Sequence, residues 1–329
     1  MKKILAAAVA AAIIAPASVL AAGPTLYGKI HTSVDLHDNN GSSSTGTLYD
    51  EWSLNTNSSR IGVKGSEDLG NGMKVGYLIE WSVSMDGDSG DLGQRNRAVT
   101  LSGDWGTALA GRWDTPFKTL GRKIDMFGDQ IGDTRNLSKF DTTDNRANNV
   151  LAYVTPNMGG LSATVAYVFD AGTCALPGAA CTGDNSDASA WSFNAIYNNG
   201  PLLVGLAYSD YDDSGANTVG SDNASVWRLG GSYAMGDFKL AASYTDFESQ
   251  NFVKNNDPDM WTLGGSYKMG NNTIKLQYSD LDESGSSTKD GADMWSLGLD
   301  HAMSKRTTVY AAYATTDNDT NSARTSWNG

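Results

Sequence analysis

From Trp261 onward the apolar and aromatic positions are Trp261, Leu263, Tyr267 and Met269, with Thr262, Gly264, Ser266 and Lys268 between them. The next segment sets Ile274, Leu276 and Tyr278 against Lys275, Gln277 and Ser279. Alternation with period two predicts strands, each with one apolar and one polar face. The unit recurs: Trp227, Trp261 and Trp295 are evenly spaced, as are Met235, Met269 and Met303, in the copies WRLGGSYAMG, WTLGGSYKMG and WSLGLDHAMS. This period of 34 also occurs in helical repeat families, but the alternation excludes helices. Each copy predicts a hairpin: two strands of about ten residues, a tight turn such as Met269–Asn272, and a longer polar loop such as Asp280–Gly291.

The same pattern runs along the chain, with strands starting near Thr25, Ser59, Gly72, Arg95, Thr107, Arg146, Leu161, Ala188, Leu202, Ala224, Asp237, Met260, Thr273, Ala292 and Arg306. Short turns alternate with long Asp/Asn/Gly/Ser loops. That is expected of an all-β transmembrane antiparallel barrel, and a sandwich or propeller has no reason to show it. Trp227, Trp261 and Trp295 at one end of the strands, with Tyr233 and Tyr267 at the other, are placed like interfacial girdles. Val75, Ile79, Leu263, Tyr267, Ile274 and Leu276 are expected on the outer face, and Lys74, Glu80, Thr262, Lys275 and Gln277 on the inner one. Fifteen strands is an odd number, whereas bacterial barrels have even counts. The expectation is therefore a sixteen-stranded barrel whose last strand is missing from this sequence. An open seam would then separate strand one (Tyr27–His37) from strand fifteen (Arg306–Thr316).

The N-terminus bears on compartment. Lys2 and Lys3 precede an apolar run from Ile4 to Ile14, followed by Pro16 and small residues at Ala21 and Ala22. This predicts a cleaved signal peptide over 1–22 and a barrel domain over 23–329. No later stretch approaches the length of a membrane helix, and the mean hydropathy of −0.35 would ordinarily mean soluble. A barrel strand shows lipid only at every second residue, so that average excludes nothing. Without Lys2 and Lys3 the 24 basic residues fall to 22 against 37 acidic ones, a net charge near −15. Such acidity argues against nucleic acid, whose phosphates need basic patches.

Residues 60–81 read RIGVKGSEDLGNGMKVGYLIEW. This resembles the strand–GxEDLGxG–strand signature of the general diffusion porins of Gram-negative bacteria. TLYGKIHTSVD is similar to their first strand, and GTALAGRWDTPFKTLGRKIDMFGDQIGD to their fifth strand passing into a pore-constricting third loop. The resemblance implies a trimeric outer-membrane channel with no cofactor and no catalysis. Its departure is at the C-terminus, where family members end in a strand closing on an aromatic residue and this chain ends at Gly329.

Several constellations carry possible chemistry. Cys174 and Cys181 predict a disulfide stapling an extracellular loop of an exported protein. Gly87-Asp88-Ser89-Gly90 matches a protease nucleophile segment, but neither His31, His37 nor His301 is placed to serve as its base. Asp86, Asp88 and Asp91, like Asp210, Asp212 and Asp213, lack the ordered offsets of a calcium loop. They read as solvated loops, with weak calcium bridging to anionic lipopolysaccharide as the functional alternative. Residues 114–145 form the one long connection rich in apolar groups, namely Phe117, Leu120, Ile124, Met126, Phe127 and Ile131. The expectation is a loop folded inward to narrow the pore. Asp125, Asp129 and Asp133 fall every four residues, so a helical turn would align them. With Glu80 they form the acidic side of the expected constriction, facing Lys29, Arg60, Arg95, Arg97 and Arg112. Lys29, Arg60 and Arg112 share the polar parity of their strands, whereas Arg95 and Arg97 need a bulge to reach the lumen.

The expected function is passive diffusion of small hydrophilic solutes and ions across the outer membrane, with lipopolysaccharide and outer-membrane lipid as neighbours. The chain's acidity tips the expected preference toward cations. A substrate-specific channel on the same barrel is the alternative. A barrel hydrolase or a secreted soluble binding protein would belong to other classes.

Overall fold

The computed structural model describes residues 23–38, 50–87, 92–138, 144–169, 189–212, 223–250, 256–285, 288–322 and 324. The expected signal peptide, Cys174, Cys181, Asp88, Ser89, Asp91 and Asp213 lie outside them.

The first strand is split. β1 (Thr25–Lys29) pairs with β4 (Arg60–Gly70), while β2 (Thr32–Asp38) pairs with β3 (Asp50–Thr56) as a separate two-stranded ribbon. The sequence pattern predicts β1 and β2 as one strand, Tyr27–His37, and no strand at β3; the structure divides the first and adds the second. The break has a local cause: the Ser59 hydroxyl accepts from the His31 amide (2.8 Å), in place of a backbone carbonyl, and donates to the His31 carbonyl (2.9 Å), which the Asn57 amide also reaches (2.8 Å). Ser58 beside it has φ of 58°, which interrupts the extended chain.

The remaining strands follow in chain order: β5 (Met73–Val83), β6 (Leu92–Gly103), β7 (Gly106–Asp114), β8 (Arg146–Val154), β9 (Leu161–Val168), β10 (Ala190–Asn199), β11 (Leu202–Tyr211), β12 (Ala224–Met235), β13 (Phe238–Glu248), β14 (Asp259–Met269), β15 (Asn272–Leu281), β16 (Ala292–Ala302) and β17 (Thr308–Asn318). With β1 and β4 they make one antiparallel sheet of fifteen strands, in which β1 pairs with β4 and every later strand with the next in sequence. Gly200, Gly236 and Gly270, with φ near +60°, take the first central position of two-residue turns, where a II′ hairpin needs them. The sheet curls into a barrel until its ends approach: His31 Nε2 lies 3.0 Å from Tyr310 Oη. Among the described residues no backbone ladder joins β1 to β17.

Alternation sorts the two faces as expected. Ile79, Leu263, Tyr267, Ile274 and Leu276 are exposed on the outer face, while Glu80, Thr262, Lys275 and Gln277 are buried on the inner one. Trp261 packs against Tyr244, and Trp295 against Tyr278, in an outer aromatic band. The main hydrophobic cluster is not between layers of sheet. It lies where the segment after β7 meets the inner face, around Phe117, Leu120, Ile124, Val226, Phe247 and Met294.

Candidate functional site

After β7 the chain turns inward and forms α1 (Pro116–Ile124). Thr115 caps it, its hydroxyl accepting from the Lys118 amide, and Pro116 sits in the first turn, where its missing N–H costs nothing. Arg122 and Lys123 end the helix, where cations complement the dipole. Phe117, Leu120 and Ile124 form its buried face and pack on the inner wall. The wall also holds the helix by polar contacts. The Asn194 amide donates to the Pro116 carbonyl (2.8 Å) and to Thr119 Oγ1 (2.9 Å), and the Phe117 amide donates to Ser192 Oγ (3.2 Å).

Arg228, 3 % exposed, anchors the segment from β12. It donates to Thr245 Oγ1 (2.8 Å), pairs with Asp144 (3.3 Å) and lies 4.1 Å from the Phe117 ring centroid. Further on, Gln277 of β15 donates to Asp125 (3.0 Å) and accepts from the Met126 amide (2.9 Å). Lys275 reaches Gln130 Oε1 at 2.7 Å. The segment thus runs along the inner face from β10 to β16.

The three aspartates are not aligned on a helix, as the sequence reading expected, because α1 stops at Ile124 and each closes a turn of its own. Asp125 accepts from the Phe127 amide (2.8 Å) and from the Thr134 amide (3.3 Å). Burial, then the charge of nearby Asp133, pushes its carboxyl up. Asp133 caps the short turn Thr134–Asn136 and is gripped by the Arg135 guanidinium. Asp129, at φ of 62°, collects Arg122 (2.8 Å), Lys29 of β1 (3.3 Å) and Arg135 (3.5 Å). Burial alone would raise Asp129, but Arg122, then Lys29 and Arg135, overcome it and hold the group below the usual carboxylate range.

Opposite the segment, the wall of β1, β4, β5 and β6 is basic. Glu80 is its hub, accepting from Arg95 Nε (2.6 Å) and the Tyr27 hydroxyl (3.0 Å), with Arg60 Nε at 3.5 Å. Arg95 reaches it because the β5–β6 register slips between Ile79 and Trp81, leaving Arg95 and Asn96 both across from Glu80. Arg146 and Lys118 pair with Asp114 at 3.0 and 3.7 Å.

Two predicted members of the basic set lie elsewhere. The slip falls beyond Arg97, which keeps the outward parity of Val99 and Leu101 opposite Ile79, with its guanidinium 5.7 Å from the Trp81 ring centroid. Arg112 pairs with Arg97 and shares the parity of Ala110, which is opposite the outward Val99 and Leu151. Leu109 and Trp113 take the inward positions of β7 instead and pack with Val150. Together Arg97 and Arg112 line a recess of about 980 Å³ on the outer wall with Gln94, Asn148 and Phe169. Lys29, Arg60, Arg95 and Glu80 therefore cluster on the wall that faces Asp129, with Lys29 in contact with it, while Arg97 and Arg112 do not join them. Sequence reasoning places Arg122 and Arg135 among the mixed charges of the loop but passes over Arg146 and Arg228 as constituents. For Arg228 a signal existed, since the other repeat copies carry Thr262 and Ser296 at its position.

A family model described as Gram-negative porin matches residues 5–321. The outer membrane porin protein 32 of Delftia acidovorans is 30 % identical over 255 residues, covering 73 % of this chain and 68 % of that protein. An outer membrane porin protein of Bordetella pertussis is 30 % identical over 270 residues, covering 74 % of this chain and 69 % of that protein. Among solved structures, an anion-selective porin from Comamonas acidovorans superimposes with a TM-score of 0.75 at 28 % identity, over 90 % of this chain and 89 % of that one. OmpT of Vibrio cholerae gives 0.67 at 18 % identity, over 90 % and 88 %, which is a likeness of fold. The chain belongs to the Gram-negative porin family and is an outer-membrane β-barrel through which small hydrophilic solutes diffuse passively.

Proposed function

We propose that the segment 114–145 is the constriction of the pore, that no catalysis or cofactor is involved, and that the channel favours anions. The observation that carries this is the charge where segment and wall face one another. Lys29, Arg60, Arg95, Lys118, Arg122, Arg135 and Arg146 meet Glu80, Asp114, Asp129 and Asp133 there. An excess of three cations in a narrow aqueous gap attracts anions and opposes cations, because the low-dielectric walls focus the field. The acidity of the whole chain, which pointed to cations, is spread over outer loops and strand ends and matters less than charge at the narrowest point. The porin of Comamonas acidovorans, described as anion-selective, is a relative with that preference.

Residues 1–22 act as a cleaved signal peptide, residues 23–329 form the barrel domain, and Cys174–Cys181 closes a disulfide. The working assembly is a homotrimer in lipopolysaccharide and lipid. Asp246 faces Asp259 across the strands, and Asp293 faces both Asp280 and Asp317, on the outer side beyond the aromatic band. Like charges opposed in this way favour divalent counter-ions such as calcium between wall and anionic lipid. Among the described residues no three His, Cys, Asp or Glu converge as a metal site, so this attraction is diffuse.

Reversal potential in a KCl gradient across a planar bilayer tests the selectivity. The expected sign is that of chloride preference, moving toward potassium when Lys29, Arg60 and Arg95 are replaced by Gln. A cation-selective wild-type channel would overturn the reading.

A further inference from the structure

The hairpin repeat carries a glycine whose purpose the strand pattern does not explain. Gly230, Gly264 and Gly298 occupy the same place in the three copies, on inward positions of β12, β14 and β16. Gly205 of β11 lies directly across from Gly230. A glycine in a strand interior weakens it and marks a bulge, a bend or a close approach. None of these four has positive φ, unlike the turn glycines Gly236 and Gly270, so backbone conformation does not require them. The neighbouring position in the copies is Gly231, Gly265 and Leu299; it faces outward and tolerates a large side chain. Only the inward member stays glycine.

What each glycine would meet if it carried a Cβ gives the reason. At Gly205 the nearest atom is Leu120 Cδ1 at 2.5 Å, at Gly230 Ile124 Cδ1 at 2.6 Å, at Gly264 Met126 Cγ at 2.9 Å, and at Gly298 Phe127 Cε1 at 2.8 Å. Four glycines receive four successive apolar side chains of the inward segment, one each and in order. The register shows that they form a level row. Gly230 faces Ser243 and Gly264 faces Ala241, two residues along β13, and the same step separates Gln277 from Lys275 on β15. That stagger is what strand tilt imposes on positions at one height of a barrel.

We infer that this glycine row is a seat that sets the bore of the pore: the missing side chains let the constriction segment sit deep against the far wall, and their absence fixes the gap left for solute. The inference rests on the segment being the constriction, as proposed above. A methyl at Gly298 brings carbon to 2.8 Å of a rigid, fully buried ring, whereas carbon atoms rest at about 3.5–4.0 Å. The segment must move toward the lumen by roughly 1 Å.

The test uses the full chain in planar bilayers, with Gly298→Ala and Gly264→Ala against Gly265→Ala as control. Gly265 is outward on the same strand, and its Cβ would make only ordinary contacts, the nearest at 3.4 Å. The expected result is a fall in single-channel conductance of roughly 1.2-fold or more for the two inward variants, since a narrower aqueous gap passes fewer ions. Reversal potential should stay put, because no charge changes, and Gly265→Ala should conduct as wild type. Phe127→Leu in the Gly298→Ala background should bring conductance back toward wild type, which a general folding defect would not do. A crystal structure of Gly298→Ala separates the two possible failures. An unmoved segment would overturn the seat alone, and a displaced segment with unchanged conductance would overturn the constriction as well. An equal loss in Gly265→Ala, or no rescue by Phe127→Leu, would also sink the inference.

Discussion

Glu80 shows how one residue can temper a basic wall. Alone on its strand it would be an ordinary inward carboxylate, yet it accepts from Arg95 and Tyr27 and faces Arg60. Charge-assisted contacts of this kind hold long arginine side chains in fixed directions. Replacing Glu80 with Gln should cost about 1.5–3 kcal/mol of barrel stability, the worth of a hydrogen bond to a charged group, read from heat-modifiable gel mobility. The same substitution removes one negative charge from the gap and should move reversal potential further toward anions. A variant with unchanged selectivity would place Glu80 outside the ion path.

The inward segment is an element built from tethers, and they differ in how they respond to acid. Asp129 gathers Lys29, Arg122 and Arg135, and its carboxyl is held below its ordinary range. A depressed acid contributes stability that is present above its unfolded value, about 3.9, and is lost as pH falls toward the folded value. Asp125, raised by burial and by Asp133, has the opposite sign: its contribution is present below the ordinary range and lost as pH rises through the raised value. Channel current should therefore stay quiet from neutral pH through the ordinary carboxylate range and begin to flicker only well below about 3.9, where the depressed Asp129 starts to protonate. Flicker that sets in near pH 6 would show that Asp129 does not hold the segment.

At the scale of the whole molecule, net charge and local charge have opposite signs. The chain is acidic by 13 charges, yet the gap between segment and wall carries an excess of bases. Screening separates the two contributions. The Debye length is about 10 Å at 0.1 M salt and about 3 Å at 1 M, so distant loop acids fade first and the arginines lining the gap persist. The anion preference, as a permeability ratio, should fall only modestly between those concentrations. A reversal to cation preference at high salt would mean that the outer acids, not the gap, set the sign.

The residues by themselves determined the barrel, because an alternation of two and a recurring hairpin are local properties that any length of strand displays. Leu263 and Thr262 had no choice of face once one side met lipid and the other the lumen. The place of the inward segment was also legible, since Phe117, Leu120 and Ile124 need an apolar surface that no polar loop supplies. Tertiary structure decided the rest. Parity is reset by each slip of register, so the β5–β6 shift delivers Arg95 to Glu80 but leaves Arg97, on the near side of the slip, facing outward with Val99, and the preference of β7 for burying Leu109 and Trp113 sends Arg112 the same way. The break at His31 depended on a serine 28 residues away. Above all, the repeated glycines were visible as a pattern but not as a seat. A residue without a side chain says that something comes close, and only the fold shows that what comes close is the segment 114–145.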